Sequence, residues 1–181
     1  MTPPEPYLGI TDHTPVRLHI LSVLVENKAG VLARIAGLFA RRGFNIYSLA
    51  VAPAESNARF SRVTIVVDAE SAPLEQIVGQ LDKLVNVVAI TDISPKDALE
   101  RELLLATIKT DVDNRTSLLD IIASAGAAIV DVDAKSVTVM LAATPGNCDG
   151  LEKALEGFSD VELHRTGRVA LPRLGKTAHA Y

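Results

Sequence analysis

The hydrophobic positions change period several times along the chain, and each change marks an element. From Arg17 to Val25 the run RLHILSVLV puts apolar side chains on both sides of an extended segment, the pattern of a strand covered on at least one face. A polar turn, Glu26 to Lys28, leads into Ala29 and Gly30. Val31, Leu32, Ile35, Ala36, Leu38 and Phe39 then recur at helical spacing beside Arg34, Arg41 and Arg42, which predicts an amphipathic helix closed by Gly43. Two β-rich runs come next, Asn45–Val51 and Arg62–Asp68, joined by a turn around Pro53 to Ala58. Leu74, Ile77, Val78 and Leu81 mark a second helix and Val85–Ile93 a fourth strand, so the order is βαββαβ.

The remainder repeats that order in degenerate form. A strand over Glu102–Lys109 precedes a helix over Thr116–Ala125, strands over Ala128–Asp133 and Ser136–Ala142, a helix over Asn147–Phe158 and a strand over Val161–Arg165. The segment LEQIVGQL from Leu74 matches LEKALEGF from Leu151 in the phase of its apolar positions. The fold class is therefore α+β, built from two tandem copies of one unit. Each β-α-β crossover has one permitted hand, so both helices of a copy fall on one face of a four-stranded antiparallel sheet, the ferredoxin-like arrangement. The expected layout is a disordered leader at 1–16, a first domain at 17–94, a charged junction at 95–101, a second domain at 102–171 and a tail at 172–181. The sheet face turned away from the helices needs cover, and another copy or subunit is the expected source.

Composition narrows the function. The chain has 181 residues, 48% of them hydrophobic, enough to bury a core. A net charge of −4, with three Tyr, four Phe and no Trp, supplies neither a basic footprint for phosphates nor stacking platforms for bases. RNA-recognition modules share the βαββαβ order but need aromatics on central strands, and Arg62–Asp68 has none. No nucleic-acid partner is expected. Apolar runs such as Leu103–Ile108 fall far short of the ~20 residues that cross a bilayer, and the proline-rich, acidic start is unlike a signal peptide. A soluble, cytoplasmic protein without a membrane partner is expected.

The sequence holds no recognisable catalytic constellation. The single cysteine, Cys148, has no internal partner and reads as an ordinary small side chain in a turn. His13, His19, His164 and His179 are scattered, with no two-ligand spacing for a metal, and no nucleophile elbow or phosphate-binding loop occurs. Asp131 and Asp133 alternate near a strand end and read as a water-facing pair. The expectation is a chain with no catalytic residues, no metal and no cofactor of its own.

The turn Asn27-Lys28-Ala29-Gly30-Val31-Leu32 is more informative. It opens directly into a helix, whose first N–H groups lack intrahelical acceptors and favour an anion such as a free carboxylate. Gly30 permits close backbone approach. Asn27 and Asn45 each offer a carbonyl to an ammonium group and an amide to a carboxylate, so together they describe a receptor for an α-amino acid. The plain alternative is that Asn27 is a turn residue and Asn45 a strand-start residue.

The stretch ILSVLVENKAGVLARIAGLFARRGFNIYSLAVAP, Ile20 to Pro53, closely resembles the first half of the small regulatory subunits of acetolactate synthase (acetohydroxyacid synthase), whose N-terminal part is an ACT domain. The resemblance continues through SRVTIVVD (Ser61–Asp68), LEQIVGQLDKLVNVV (Leu74–Val88), ERELLL (Glu100–Leu105), IVDV (Ile129–Val132) and RTGRVAL (Arg165–Leu171). It implies an N-terminal ACT domain and a second, ACT-like domain. It also implies a homodimer through the ACT domains, with valine or a related branched-chain amino acid bound between them. The implied effector contacts are Asn27, Gly30, Val31 and Leu32 of one subunit with Asn45 and Ile46 of the other. The implied partner is the large catalytic subunit, which in this family carries thiamine diphosphate, Mg²⁺ and FAD. The implied role is activation of that subunit and feedback inhibition in the synthesis of valine, leucine and isoleucine. The sequence departs from the family pattern at Tyr47, where an acidic residue is usual, and at Ser124 and Ala125, where an aromatic-basic pair is usual.

A free-standing amino-acid sensor is the competing reading; RTGRVAL in the second half favours the regulatory subunit. The last segment, Leu163 to Tyr181, carries Arg165, Arg168, Arg173 and Lys176 without an acidic residue. Those cations are expected either to be solvated or to dock on carboxylates of the large subunit.

Overall fold

In the computed structural model, residues 18–54, 58–68, 74–176 and 178–181 are described, and the expected leader at 1–16 lies outside them. The first unit runs β1 (Leu18–Glu26), α1 (Val31–Arg42), β2 (Ile46–Pro53), β3 (Phe60–Asp68), α2 (Leu74–Leu81) and β4 (Val87–Ile93). Its antiparallel sheet has the order β4-β1-β3-β2, the ferredoxin-like order expected from crossover handedness. Alternation on β1 sends Leu21, Val23 and Val25 toward the helices, where they meet Val63 and Ile65 of β3, Ile35 and Phe39 of α1, and Ile77 and Leu81 of α2. Arg34, Arg41 and Arg42 stay in water on the opposite side of α1. Gly43, at φ 72°, ends that helix: its N–H reaches the Ala40 carbonyl at 3.2 Å and the Phe44 N–H reaches the Phe39 carbonyl at 3.0 Å. The third strand starts at Phe60, two residues before the expected run, while its central positions Val63, Thr64 and Ile65 are non-aromatic.

The second unit runs β5 (Ala98–Lys109), α3 (Val112–Ala125), β6 (Ala128–Val132), β7 (Ser136–Ala143), α4 (Pro145–Leu155) and β8 (Val161–Arg165), with sheet order β6-β7-β5-β8. Leu104, Ile108, Val139, Leu118, Ile122, Leu151 and Leu155 form its core. Both helices begin earlier than periodicity predicts because side-chain caps, and not apolar positions, set their starts. Asp111 accepts from the Asn114 N–H at 2.9 Å, and the Thr144 hydroxyl accepts from the Asn147 N–H at 3.4 Å, with Pro145 in the first helical turn. Cys148 therefore lies in α4, fully buried in the core, and not in a turn; burial pushes its thiol pKa up.

The largest departure from expectation is at the junction and the tail. After a single 3₁₀ turn, Pro95–Asp97, the segment expected as a linker is already strand: Ala98–Arg101 of β5 pair with a further strand, β9 (Val169–Pro172). The chain then returns to the first unit. The Arg173 N–H donates to the Asp97 carbonyl at 2.8 Å, and β10 (His179–Ala180) adds to the β4 edge, His179 opposite Asp92. These segments cover one end of the first sheet's far face, where Ile20, Val66 and Ile93 pack on Ala98 and Ala170. Part of the cover expected from another copy or subunit thus comes from the chain itself. Among the described residues nothing covers the far face of the second sheet, where Leu105 is exposed beside its cross-strand neighbour Met140. Among the described residues no helix is long and apolar enough to cross a membrane.

Three of the four tail cations are engaged internally. Arg165 of β8 bonds to Glu102 of β5, to Asp149 of α4 at 2.7 Å and to Glu152 of α4 at 3.0 Å. Burial works against its charge, but the bonds to Glu102 and Asp149 outweigh that and raise its pKa. Arg168 pairs with Glu100 at 3.3 Å, and Lys176 lies 3.5 Å from Asp97. The Arg173 side chain is exposed and forms no ion pair among the described residues.

Candidate functional site

The β1–α1 turn is held from both sides. The Asn27 N–H donates to the Arg59 carbonyl at 2.9 Å and its Nδ2 to the Ala58 carbonyl at 2.8 Å, tying the turn to the end of the β2–β3 loop. Glu26 accepts from Asn86 Nδ2 at 2.6 Å and from Lys28 Nζ at 3.1 Å, and these bonds hold its carboxyl below the usual carboxylate range. Gly30, at φ 82° and ψ −4°, occupies the left-handed region and turns the chain into α1. No Cβ at Gly30 would meet an atom within 4 Å, so the cost of a side chain there is backbone strain alone.

The turn delivers the chain into an open helix end. The Val31 N–H reaches back to the Lys28 carbonyl at 3.3 Å and the Arg34 N–H to Gly30 at 3.0 Å, while the N–H groups of Leu32 and Ala33 have no intrahelical acceptor. No side chain caps α1 and its first turn holds no acid, whereas Asp111 and Thr144 cap α3 and α4. Asn27 and Gly30 are exposed, Val31 points into the core, and Leu32 is 42% exposed at the same end. The arrangement suits a small anion carrying an apolar group.

Asn45 and Ile46 lie past the other end of α1. Asn45 is exposed between Phe44, whose ring packs edge-on against Phe39 at 6.1 Å, and Ile46, which packs half-buried on the first core. A helix of 12 residues rises about 18 Å. One chain therefore does not bring Asn45 and Ile46 to Asn27, Gly30, Val31 and Leu32; a site using both sets takes them from two chains.

Ile46 is followed by a bulge. Ile46 pairs with Val67 and Ser48 with Val66, so Tyr47 is the extra residue. The Arg168 guanidinium lies 4.9 Å over the Tyr47 ring, and the Arg168 N–H donates to the Ser48 hydroxyl at 2.8 Å. Periodicity does not find this contact, because it joins residues 120 positions apart; the Gly167 of R-T-G-R, at φ 80°, is its one local sign. Beside it, a groove of about 740 Å³ runs between β2 and the β5–β9 arm, lined by Leu49 to Ala54, Arg62, Leu99 and Val169 to Leu171. Asp131 and Asp133 form no reactive pair: the Asp133 carboxylate accepts from the Lys135 and Ser136 N–H groups at 2.7 and 2.6 Å, closing the β6–β7 turn. Among the described residues no group of three or more His, Cys, Asp or Glu is placed to hold a metal ion.

Comparison with known proteins bears on both units. A family model described as AHAS small subunit-like ACT domain matches residues 21–89, and one described as small subunit of acetolactate synthase matches residues 101–174. The chain belongs to the acetolactate synthase small-subunit family. An acetolactate synthase small subunit of Mycobacterium bovis is 45% identical over 157 residues, covering 87% of this chain and 93% of that protein. A chloroplastic acetolactate synthase small subunit 2 of Arabidopsis thaliana is 42% identical over 165 residues, 90% of this chain but 34% of the longer plant protein. The crystal structure of the small subunit from Thermotoga maritima superposes with a TM-score of 0.81 at 33% identity, covering 89% of this chain and all of that one. The expected family and the tandem ferredoxin-like, ACT-type fold both stand, and the chain is of the regulatory, ACT-domain kind of subunit.

Proposed function

We propose that this chain is a non-catalytic subunit that activates the large, thiamine-diphosphate-dependent subunit of acetolactate synthase and confers feedback inhibition by valine. Thiamine diphosphate, Mg²⁺ and FAD belong to the large subunit in this reading. The observation that carries it is the uncapped start of α1, with left-handed Gly30 and exposed Leu32, in a chain of this family. A valine carboxylate takes the place of the missing side-chain cap, on the N–H groups at Gly30 to Leu32. The isopropyl group packs on Leu32 and on Ile46 of a second copy, and the ammonium group is anchored by the Asn27 and Asn45 carbonyls. Because one chain holds only half of these groups, the site is completed by a homodimer through the ACT domains.

Regulation then arises from linkage. Valine binds one arrangement of the paired domains better than another, and that arrangement supports the active state of the large subunit less well. The test is acetolactate formation by the large subunit alone, by this chain alone, and by the two together, with and without valine. Activity of the mixture above that of the large subunit, lowered by valine, is the expected outcome. Thiamine-dependent turnover by the pure chain, or a mixture no faster than the large subunit, would remove the reading.

A further inference from the structure

We propose that the turn Thr166-Gly167-Arg168 couples the effector site to the second domain, with Arg168 as the positioning residue that reads Tyr47 and Ser48 of β2. The inference rests on the effector site proposed above.

The turn touches both units within three residues. On the second unit, the Thr166 N–H donates to the Leu103 carbonyl and the Thr166 hydroxyl accepts from the Leu103 N–H, each at 3.1 Å, so the turn moves with β5. On the first unit, a Cβ at Gly167 would lie 3.0 Å from the Ser48 hydroxyl and 3.1 Å from the Leu49 carbonyl, so the backbone rests directly on β2. Arg168 closes the bridge. Its N–H binds Ser48, its guanidinium covers Tyr47, and the same guanidinium pairs with Glu100 of β5. Arg168 is only 9% exposed, so these contacts work with little screening by water.

The contact falls where the β2–β3 ladder is interrupted. Tyr47 is the unpaired residue of a bulge, flanked by Ile46 on the effector side and Ser48 on the bridge side. A ligand that orders Asn45 and Ile46 sets the geometry of that bulge. The bulge sets the plane of the Tyr47 ring and the position of the Ser48 hydroxyl, and Arg168 carries both to Glu100 and the second sheet. This is a chain of contacts between two bodies and not a pocket, so its loss changes coupling more than affinity.

The experiment measures valine affinity by calorimetry for the full chain, alone and saturated with its large subunit, and in parallel the valine inhibition of acetolactate formation. Linkage requires the two affinities to differ in the parent, by a factor typically of about 5 to 150. In Arg168→Ala the affinity of the free chain is expected to stay within about twofold of the parent, while the ratio between free and complexed chain falls toward one and inhibition becomes incomplete. Removal of Arg168 leaves Glu100 without its partner, so Tyr47→Leu is made beside it: Tyr47 is 50% exposed, and its loss removes the ring face while leaving every charge in place. Tyr47→Phe keeps the ring and is expected to keep the coupling. Retention of the parental ratio in both Arg168→Ala and Tyr47→Leu overturns the proposal, as does loss of free-chain affinity in both, which would place these residues in the binding site itself. A parent that binds no valine in either state is a failure of the effector site, and the coupling falls with it.

Discussion

At the scale of single residues, the proposed site depends on what is missing. The first N–H groups of α1 are left for a ligand because Gly30 carries no side chain and no Ser, Thr or Asp stands where Asp111 and Thr144 stand on α3 and α4. Gly30→Asp would place a carboxylate where the ligand's own is expected, and aspartate tolerates the left-handed backbone better than most residues, so the fold should survive. Asn45→Ala removes one polar anchor from an exposed position. Loss of a charge-assisted hydrogen bond costs roughly 1.5–3 kcal/mol of binding, so each variant is expected to bind valine at least about tenfold more weakly while still activating the large subunit. Calorimetry on the purified variants decides it, and parental affinity in either one removes that residue from the site.

At the scale of elements, hydrophobic period located every strand and helix of the two βαββαβ units, because those elements bury one face and so carry the pattern. It missed what carries no period. The starts of α3 and α4 are set by Asp111 and Thr144, one polar residue each; β9 and β10 are four and two residues long, too short for alternation to register. Of the proposed site, the turn at Asn27 to Leu32 was legible as a local signal and Asn45 was matched to it by side-chain chemistry; that the two sets lie at opposite ends of α1, about 18 Å apart in one chain, is visible only in the fold. The role of Asp133 is a further local feature: two N–H groups bind its carboxylate and lower its pKa, the Lys135 N–H contributing most. A carboxyl whose pKa is lower in the fold than in the unfolded chain stabilises above its unfolded value of about 4, and that stabilisation is lost as pH falls through the folded value. Asp133→Ala is therefore expected to lower the urea midpoint at pH 7, with the gap to the parent closing as pH falls below about 4. A gap that is constant with pH would mean that the charged form is not what closes the turn.

The whole molecule combines an internally covered end and, among the described residues, a sheet edge without a partner strand. In the first sheet β10 pairs with β4 on one side, whereas β2 on the other side has no strand partner beyond β3 among the described residues, and its Val51 is exposed. Dimerisation through the ACT domains is the expected use of that side, and sedimentation at micromolar concentration should give a dimer. A monomer with and without valine would leave the two-chain site without its second half.

The covered end makes a different and more specific demand on the chain's last residues. Truncation after His164 looks harmless to the effector site, since none of Asn27 to Ile46 lies beyond it. It nevertheless removes β9, the partner of Ala98–Arg101, together with Arg165, Ala170 and β10. Ile20, Val66 and Ile93, now at most 2% exposed, would then face water on the far side of the first sheet. Full exposure of such side chains costs about 1.5–3 kcal/mol each, an upper bound where neighbours collapse onto the gap. The truncated chain is thus expected to lose several kcal/mol of stability on that scale and to bind a hydrophobic dye, so weakened activation by it would not isolate docking of the tail. Truncation after Lys176 gives the contrast. It removes β10 and Ala178 but keeps β9 and the Lys176–Asp97 pair, and should shift the urea midpoint only slightly. Docking on the large subunit is then read from Arg173→Ala, the tail cation whose side chain has no ion pair to lose among the described residues. Its stability should match the parent. If the longer truncation proves as stable as the full chain, the segment after His164 is not what covers the first sheet.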